Sequence, residues 1–446
     1  MNQPKKLMRD TFNLKTLLFV ALLAMPLLFG TLVAQEAAPA EAAPAVEVEE
    51  PATLDSGDTA WMMTSMVLVL LMTLPGLALF YGGLVRAKNV LSVLVQCLVI
   101  ASVMTVLWVA YGYSLASTGD GLFIGDFSKA FLKGLTDEAL TGTMPESVFI
   151  TFQATFVIIT PALIVGAFAE RMKFSAILIF TIIWATFSYL PVWHMAWSGV
   201  GLFSKWEVID FAGGTVVHIN AGIAGLVACI MVGKRKGFGT AALHPHSVPL
   251  TVIGACLLWV GWFGFNAGSA AAANGAAGFA MLTTQITTAT AVLAWLAVEW
   301  LATKKVTAVG GATGAVAGLV AVTPAAGTIT VAGALILGIV AGVICYFGAT
   351  TLKKVLKYDD SLDVFGVHGV GGIVGAILTG VFVRGGAADG QVIQQIKSVL
   401  LTIGWSGVVS IVALLIAKFT VGLRVPEADE DAGLDTTTHG ESAYTL

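Results

Sequence analysis

The chain has 446 residues, of which 57% are hydrophobic and 11% charged, against roughly 25% charged in an average soluble domain. So few charges cannot clothe a water-facing surface, and a formal net charge of −4 offers no basic face for nucleic acid. With 50 glycines suited to close helix packing, the composition points to an all-α polytopic membrane protein.

The amino terminus reads as an address. Lys5, Lys6, Arg9 and Lys15 precede an apolar run from Leu17 to Phe29, the length of a signal-peptide core. The reading is a signal peptide at 1–34, with cleavage as late as residue 40; a retained first span is the competing reading. Residues 35–58 form an acidic Ala/Pro-rich leader without periodicity, expected to be flexible. The setting this predicts is a bacterial inner membrane.

Eleven apolar segments follow, each long enough to span at about 20 residues. They lie near 60–84, 90–115, 148–169, 175–197, 211–232, 248–268, 276–301, 307–323, 329–351, 364–383 and 394–421. The membrane domain is thus 59–422, and 423–446 is a carboxyl-terminal tail. Basic residues concentrate in the odd-numbered connections: Arg86 and Lys88, Arg171 and Lys173, Lys234 to Lys236, Lys304 and Lys305, Lys353, Lys354 and Lys357, then Arg424. The even-numbered ones hold only Lys129, Lys133, Lys205, Arg384 and Lys397. The positive-inside rule places the odd connections and the tail in the cytoplasm and the mature amino terminus outside. Cys97, Cys229, Cys256 and Cys345 are scattered singly and read as buried bystanders, with no metal-site spacing.

One pattern occurs twice. His218, Gly222, Ile223 and Gly225 in span five match His368, Gly372, Ile373 and Gly375 in span ten. Five spans separate the two, so the helices run in opposite directions. This predicts an inverted 5+5 repeat with one extra helix, and a working site near the midplane. Chance similarity of two Gly-rich helices is the competing account.

An ionisable side chain inside a membrane marks a pathway more often than not. His218 and His368 are either satisfied structural residues or a pair facing a narrow path, where neutral imidazoles meet a small polar solute. Phe152 and Phe156 share a helix face at i, i+4, and Trp262, Phe265 and Ser269 share another at i, i+3, i+7. With Trp197 at the outer end of span four they suggest an aromatic vestibule for a small cation. An interfacial aromatic belt explains Trp197 equally well. Asp210 opens span five, either as a helix cap or as an anionic group recruiting a cation. Asp363 opens span ten, where a cap is expected. Glu170 and Arg171 read as a cytoplasmic charge pair, and Glu299 has no assigned role. No metal or cofactor site is expected.

Five stretches then carry a resemblance: Phe80-Tyr81-Gly82-Gly83, Ala169-Glu170-Arg171, Asp210 through Asn220, Gly261 through Ser269, and Asp363 through Gly369. They are similar to the ammonium transporter (Amt/Mep/Rh) family, in its bacterial Amt branch, over essentially the whole chain from about residue 58. The resemblance implies no enzyme but a homotrimer, in a lipid bilayer, with one ammonium path per subunit. It implies an outer recruitment site of Trp197, Phe156 and Ser269, with Phe152 adjoining. Phe156 and Phe265 would form a stacked gate, and His218 and His368 twin pore histidines beside Trp262. Asp210 would support the recruitment site without touching the solute. The tail, with Gly433, Leu434, Asp435, His439 and Tyr444, implies docking of a trimeric PII-type nitrogen regulatory protein. The alternatives are an ammonium sensor or transceptor signalling through the cytoplasmic face, and a neutral-gas channel, for which a cation site would be superfluous.

Overall fold

The computed structural model describes residues 53–444. The expected signal peptide and most of the leader lie outside the described residues. The rest is mostly helix, with only a two-stranded antiparallel ribbon at Leu140–Thr141 and Met144–Pro145. The spanning elements are α1 Ser56–Leu84, α2 Ala87–Ser117, α3 Glu146–Phe168, α4 Phe174–Lys205, α5 Gly214–Val232, α6 Val248–Gly268, α7 Gly275–Thr303, α9 Val331–Leu356, α10 Phe365–Phe382 and α11 Gln391–Thr420. These ten are long and apolar enough to cross a bilayer, so the chain is a multi-pass membrane protein. Between α7 and α9 lies α8, Ala308–Val322, which is shorter. Two further helices close the chain, α12 Glu427–Ala432 and α13 Leu434–His439. Helix α4 is interrupted after Trp197, and the chain then runs without regular structure from Trp206 to Gly213 before α5 begins.

Glycine sets how closely the helices approach. A side chain at Gly222 of α5 would strike the backbone of Gly369 in α10, and one at Gly372 of α10 would strike His218 and Ile219 of α5. The two contacts are reciprocal, with 219 and 369, and 222 and 372, exchanging roles. Only small residues allow helices to cross at this separation, and the crossing lies one turn from each histidine. Helix α3 is buried on nearly every side among α1, α2 and α5, while α6 packs on α1 and α7 packs on α8 and α9.

The basic connections share one face with the carboxyl-terminal tail. Glu170, with no exposed side-chain surface, pairs with Arg86 at 2.9 Å and Arg235 at 3.3 Å. Arg235 also holds Asp359 at 2.8 Å. The expected Glu170–Arg171 pair does not form. Arg171 turns away and donates to the carbonyls of Ala167, Ala169, Gly233 and Asp359 and to the Ser361 hydroxyl. Adjacent residues at this turn point in different directions, and Glu170 has a left-handed φ of 75°. Two other expectations also change. Cys256 is exposed, unlike the other three cysteines, because it sits on the outward side of α6. Glu299 accepts from the Thr307 N–H and hydroxyl and so braces the start of α8.

The tail completes this face. Asp435 of α13 accepts from the Leu91 and Ser92 N–H groups at 3.1 and 2.8 Å, in the first turn of the regular part of α2. Asn89, just before that turn, accepts from the Leu434 N–H at the start of α13. The two helices thus cap each other, which satisfies donors a helix start leaves unpaired. Arg424 and the Lys236 N–H both meet Glu430 of α12.

The ion-pair cluster makes stability pH-dependent. Burial alone would push Glu170 up, but hydrogen bonds from Arg86 and the charges of Arg235 and Arg86 outweigh it and hold the carboxyl below its usual range. Asp359 is likewise held low by Arg235 against burial. A carboxylate with a lowered folded-state pKa stabilises fully above its unfolded value, and this contribution is lost as pH falls through the folded value. Replacing Glu170 by Gln is expected to cost about 3 kcal/mol at neutral pH, because Arg235 and Arg86 lose a buried partner. Thermal unfolding in detergent against pH checks this: the parent should lose stability on acidification more steeply than Glu170→Gln.

Candidate functional site

On the face opposite the tail, a cavity of about 350 Å³ opens among α3, α4, α6 and the segment before α5. Phe152, Gln153, Trp193, Trp197, Phe211 and Ser269 line it. Trp197 is fixed by its indole N–H, which donates to the Asp210 carbonyl at 2.8 Å. Trp193 donates to the Gln153 side chain at 2.9 Å. The Ser269 hydroxyl donates to the Phe265 carbonyl at 2.8 Å, one helical turn back. That bond uses its only proton and leaves oxygen lone pairs free to accept from a donor in the cavity.

Below the cavity the rings close together. Phe156 and Phe265 stack at 4.2 Å between centroids, 24° from parallel. Phe156 also meets Phe152 at 5.1 Å and Trp197 at 5.8 Å, both edge to face. Phe156 and Phe265 have no exposed surface. The one vestibule expected from the sequence is therefore two layers. Phe152, Trp197 and Ser269 belong to the cavity; Phe156, Phe265 and Trp262 lie inward of it, because residues 262 to 269 run two turns along α6.

Next come the histidines. His218 stacks with Trp262 at 5.4 Å on one side and with His368 at 5.4 Å on the other. The histidine Nδ1 atoms are 3.3 Å apart. Thr323, which the sequence reading overlooked, decides how these rings share protons. Its hydroxyl donates to the Leu319 carbonyl at 2.8 Å and accepts from the Trp262 indole at 2.9 Å. The remaining lone pair faces His218 Nε2 at 3.3 Å. A hydroxyl has one proton, so the donor count places the His218 proton on Nε2. His218 Nδ1 is then an acceptor, and His368 supplies the proton between the two Nδ1 atoms. A second, smaller cavity of about 40 Å³ begins beyond His368, lined by Tyr81, Thr313, Leu362, Asp363 and Val367.

Both histidine helices start on a carboxylate. Asp210 accepts from the N–H groups of Gly213, Gly214 and Thr215 at 2.9, 2.5 and 2.8 Å, and from the Thr215 hydroxyl. This is the capping arrangement, and Asp210 does not line the cavity. The expected cap at Asp363 is wrong. Asp363 has a left-handed φ of 61° and its carboxylate meets Lys353, while Asp360 accepts from the Phe365 N–H at 2.7 Å. Burial, with Asp363 beside it, pushes the Asp360 carboxyl up to about 6. Each cap lies eight residues before its histidine, a spacing present in the sequence that would have identified it. A third histidine within a span, His194, is not singled out from the sequence; it faces the carbonyls of Ala116 and Gly121 and secures the loop after α2.

Comparison with known proteins bears on the chain as a whole. The model of the Ammonium Transporter Family matches residues 60–444. An ammonium transporter of Aquifex aeolicus is 48% identical over 89% of this chain and 95% of its own. One from Bacillus subtilis is 44% identical over 88% and 99%. The crystal structure of Candida albicans Mep2 superimposes with a TM-score of 0.80 at 33% identity, covering 88% of this chain and 94% of that one. A structure described as a sensor Amt protein also gives a TM-score of 0.80, at 27% identity, covering 86% and 98%. A family match across nearly all of the described residues leaves one conclusion: the chain belongs to the ammonium transporter family.

Proposed function

We propose that this chain carries ammonium nitrogen across a bacterial inner membrane, binding ammonium at the outer cavity and passing ammonia beyond it. The observation that carries the reading is the order along one line: Trp197 and Ser269, then the Phe156–Phe265 stack, then His218 and His368, then the small inner cavity. Family membership and relatives named as transporters support it. The sensor reading shares the same site; transport is preferred because the transporter relatives are 44–48% identical against 27% for the sensor structure.

The mechanism follows from solvation. Ammonium in water must lose its shell to go further, and a buried ion costs several kcal/mol. Trp197 and Phe152 offer ring faces for cation–π attraction, and Ser269 offers lone pairs. Asp210 fixes Trp197 through its carbonyl and caps α5 with its carboxylate, without reaching the cavity. Past the Phe156–Phe265 stack only the neutral form is favoured by so dry a path, so ammonium gives its proton to water in the outer cavity and ammonia goes on. Ammonia then meets two neutral imidazoles and the Trp262 ring. Potassium has no proton to lose and stops at the stack.

The architecture we assign is eleven spans, with α8 counted among them despite its length, as an inverted repeat of α1–α5 and α6–α10 plus α11. The reciprocal glycine contacts and the equal Asp–His spacing support the repeat. The face with the basic connections and tail is then cytoplasmic and the mature amino terminus outside. A homotrimer with a PII-type regulatory protein at the tail face completes the proposal.

Reconstituted into liposomes, the protein should give an ammonium-dependent flux or current and none with potassium; folded protein giving neither flux nor current would overturn transport. Trp197→Leu removes a contact worth about 0.5–2 kcal/mol, so half-saturation by ammonium should rise about 2- to 30-fold. His218→Ala and His368→Ala should each lower ammonium conduction or admit potassium, measured as flux or current under each cation alone. Unchanged selectivity and conduction in both variants would make the histidines structural.

A further inference from the structure

Helix α11 stands outside the proposed repeat, and the mechanism gives it no part. Its second turn nevertheless carries Gln395, a polar side chain with no exposed surface. The amide oxygen accepts from the Ile209 N–H at 2.9 Å. The amide nitrogen donates to the Ile209 carbonyl and to the Ala376 carbonyl of α10, both at 2.8 Å. Gln391, one turn earlier, holds the Glu207 carbonyl at 3.0 Å and reaches the same Gln395 oxygen at 3.4 Å. Every donor and acceptor site of the Gln395 amide is thereby used.

Ile209 immediately precedes Asp210. Its segment has no regular structure; the flanking Val208 and Phe211 N–H groups find the Phe203 and Pro324 carbonyls, whereas both backbone groups of Ile209 are met by the Gln395 side chain. The matching position in the second half is Asp359, which immediately precedes Asp360. There the carbonyl is held by Arg171 at 2.5 Å. Arg171 comes from the connection after α3, inside the repeat; the outer turn recruits its holder from the added helix instead. Asp210 then passes the constraint on twice, through its carbonyl to Trp197 and through its carboxylate to the start of α5.

We propose that Gln395 is a positioning residue for the outer ammonium site: by fixing Ile209 it sets the place of Asp210 and so the attitude of Trp197. The inference rests on the outer cavity being the ammonium site. Its second donor bond ties that turn to the helix bearing His368, so α11 sets the mouth of one half against the body of the other.

The test is ammonium-dependent uptake, read as flux or current, by reconstituted Gln395→Leu, Gln395→Glu and Trp197→Leu beside the parent, with thermal unfolding of each. Gln395→Leu should raise half-saturation fivefold or more while the saturating rate stays within twofold. Gln395→Glu should raise it more than twofold but less than Gln395→Leu, and its shift relative to the parent at the same pH should shrink as outer pH is lowered, because the protonated carboxyl regains one donor. A structural role alone would lower the unfolding temperature without moving half-saturation. Half-saturation within twofold of the parent in folded Gln395→Leu, with Trp197→Leu shifted, would overturn the inference and leave the outer site standing. If Trp197→Leu is unshifted as well, both fall. Should Gln395→Leu fail to fold, the same criterion applied to Gln395→Glu decides.

Discussion

A helix start leaves N–H groups without partners, and in an apolar setting each one must be answered. Asp210 and Asp360 answer them for the two helices that carry the histidines. Everything else at the centre follows from those anchors. Eight residues beyond each carboxylate comes a histidine, and one turn further comes a glycine at which the helices touch. The imidazole separation is thus fixed from both ends, by caps at the helix starts and by backbone contact at the crossing.

A consequence is that the centre needs little polarity of its own. Trp262 on one side and His368 through His218 on the other converge on the Thr323 hydroxyl, which donates to the Leu319 carbonyl. Each of these protons has one destination, so the pair acts as a unit with a defined direction. That sense of direction comes from a threonine outside either repeated motif.

Much of this was legible in the chain. Hydrophobic length located most of the ten helices long enough to span to within a few residues, since a bilayer enforces it, while α4 and α9 run on to Lys205 and Leu356, past their expected ends. The repeated His-x-x-x-Gly-Ile-x-Gly pattern singled out two helices that do meet, because glycine at a crossing has no substitute. Local spacing also placed Phe152 beside Phe156. Hidden were the partners chosen across the fold. Asp360 and Asp363 are equally plausible caps by proximity, and in the sequence only the eight-residue spacing shared with Asp210 and His218 separates them. Glu170 lies next to Arg171 in sequence, yet its partners are 84 and 65 residues away. Thr323 and Gln395 are ordinary letters in apolar helices, and their importance arises from which carbonyls and rings they reach. Long-range hydrogen bonding leaves no periodic trace, whereas packing does.

The mutual cap between Asn89, Asp435 and the two helix starts has a bearing on how the molecule is made. Leu91 and Asp435 are 344 residues apart. A ribosome delivers α2 to the membrane long before the carboxylate that completes its first turn exists. Until the final segment emerges, the face that joins α2, α3 and α5 is unfinished. The last stretch of chain is in this sense a clasp, and a protein cut short before it would be distinguishable from a finished one at this face even with every spanning helix in place.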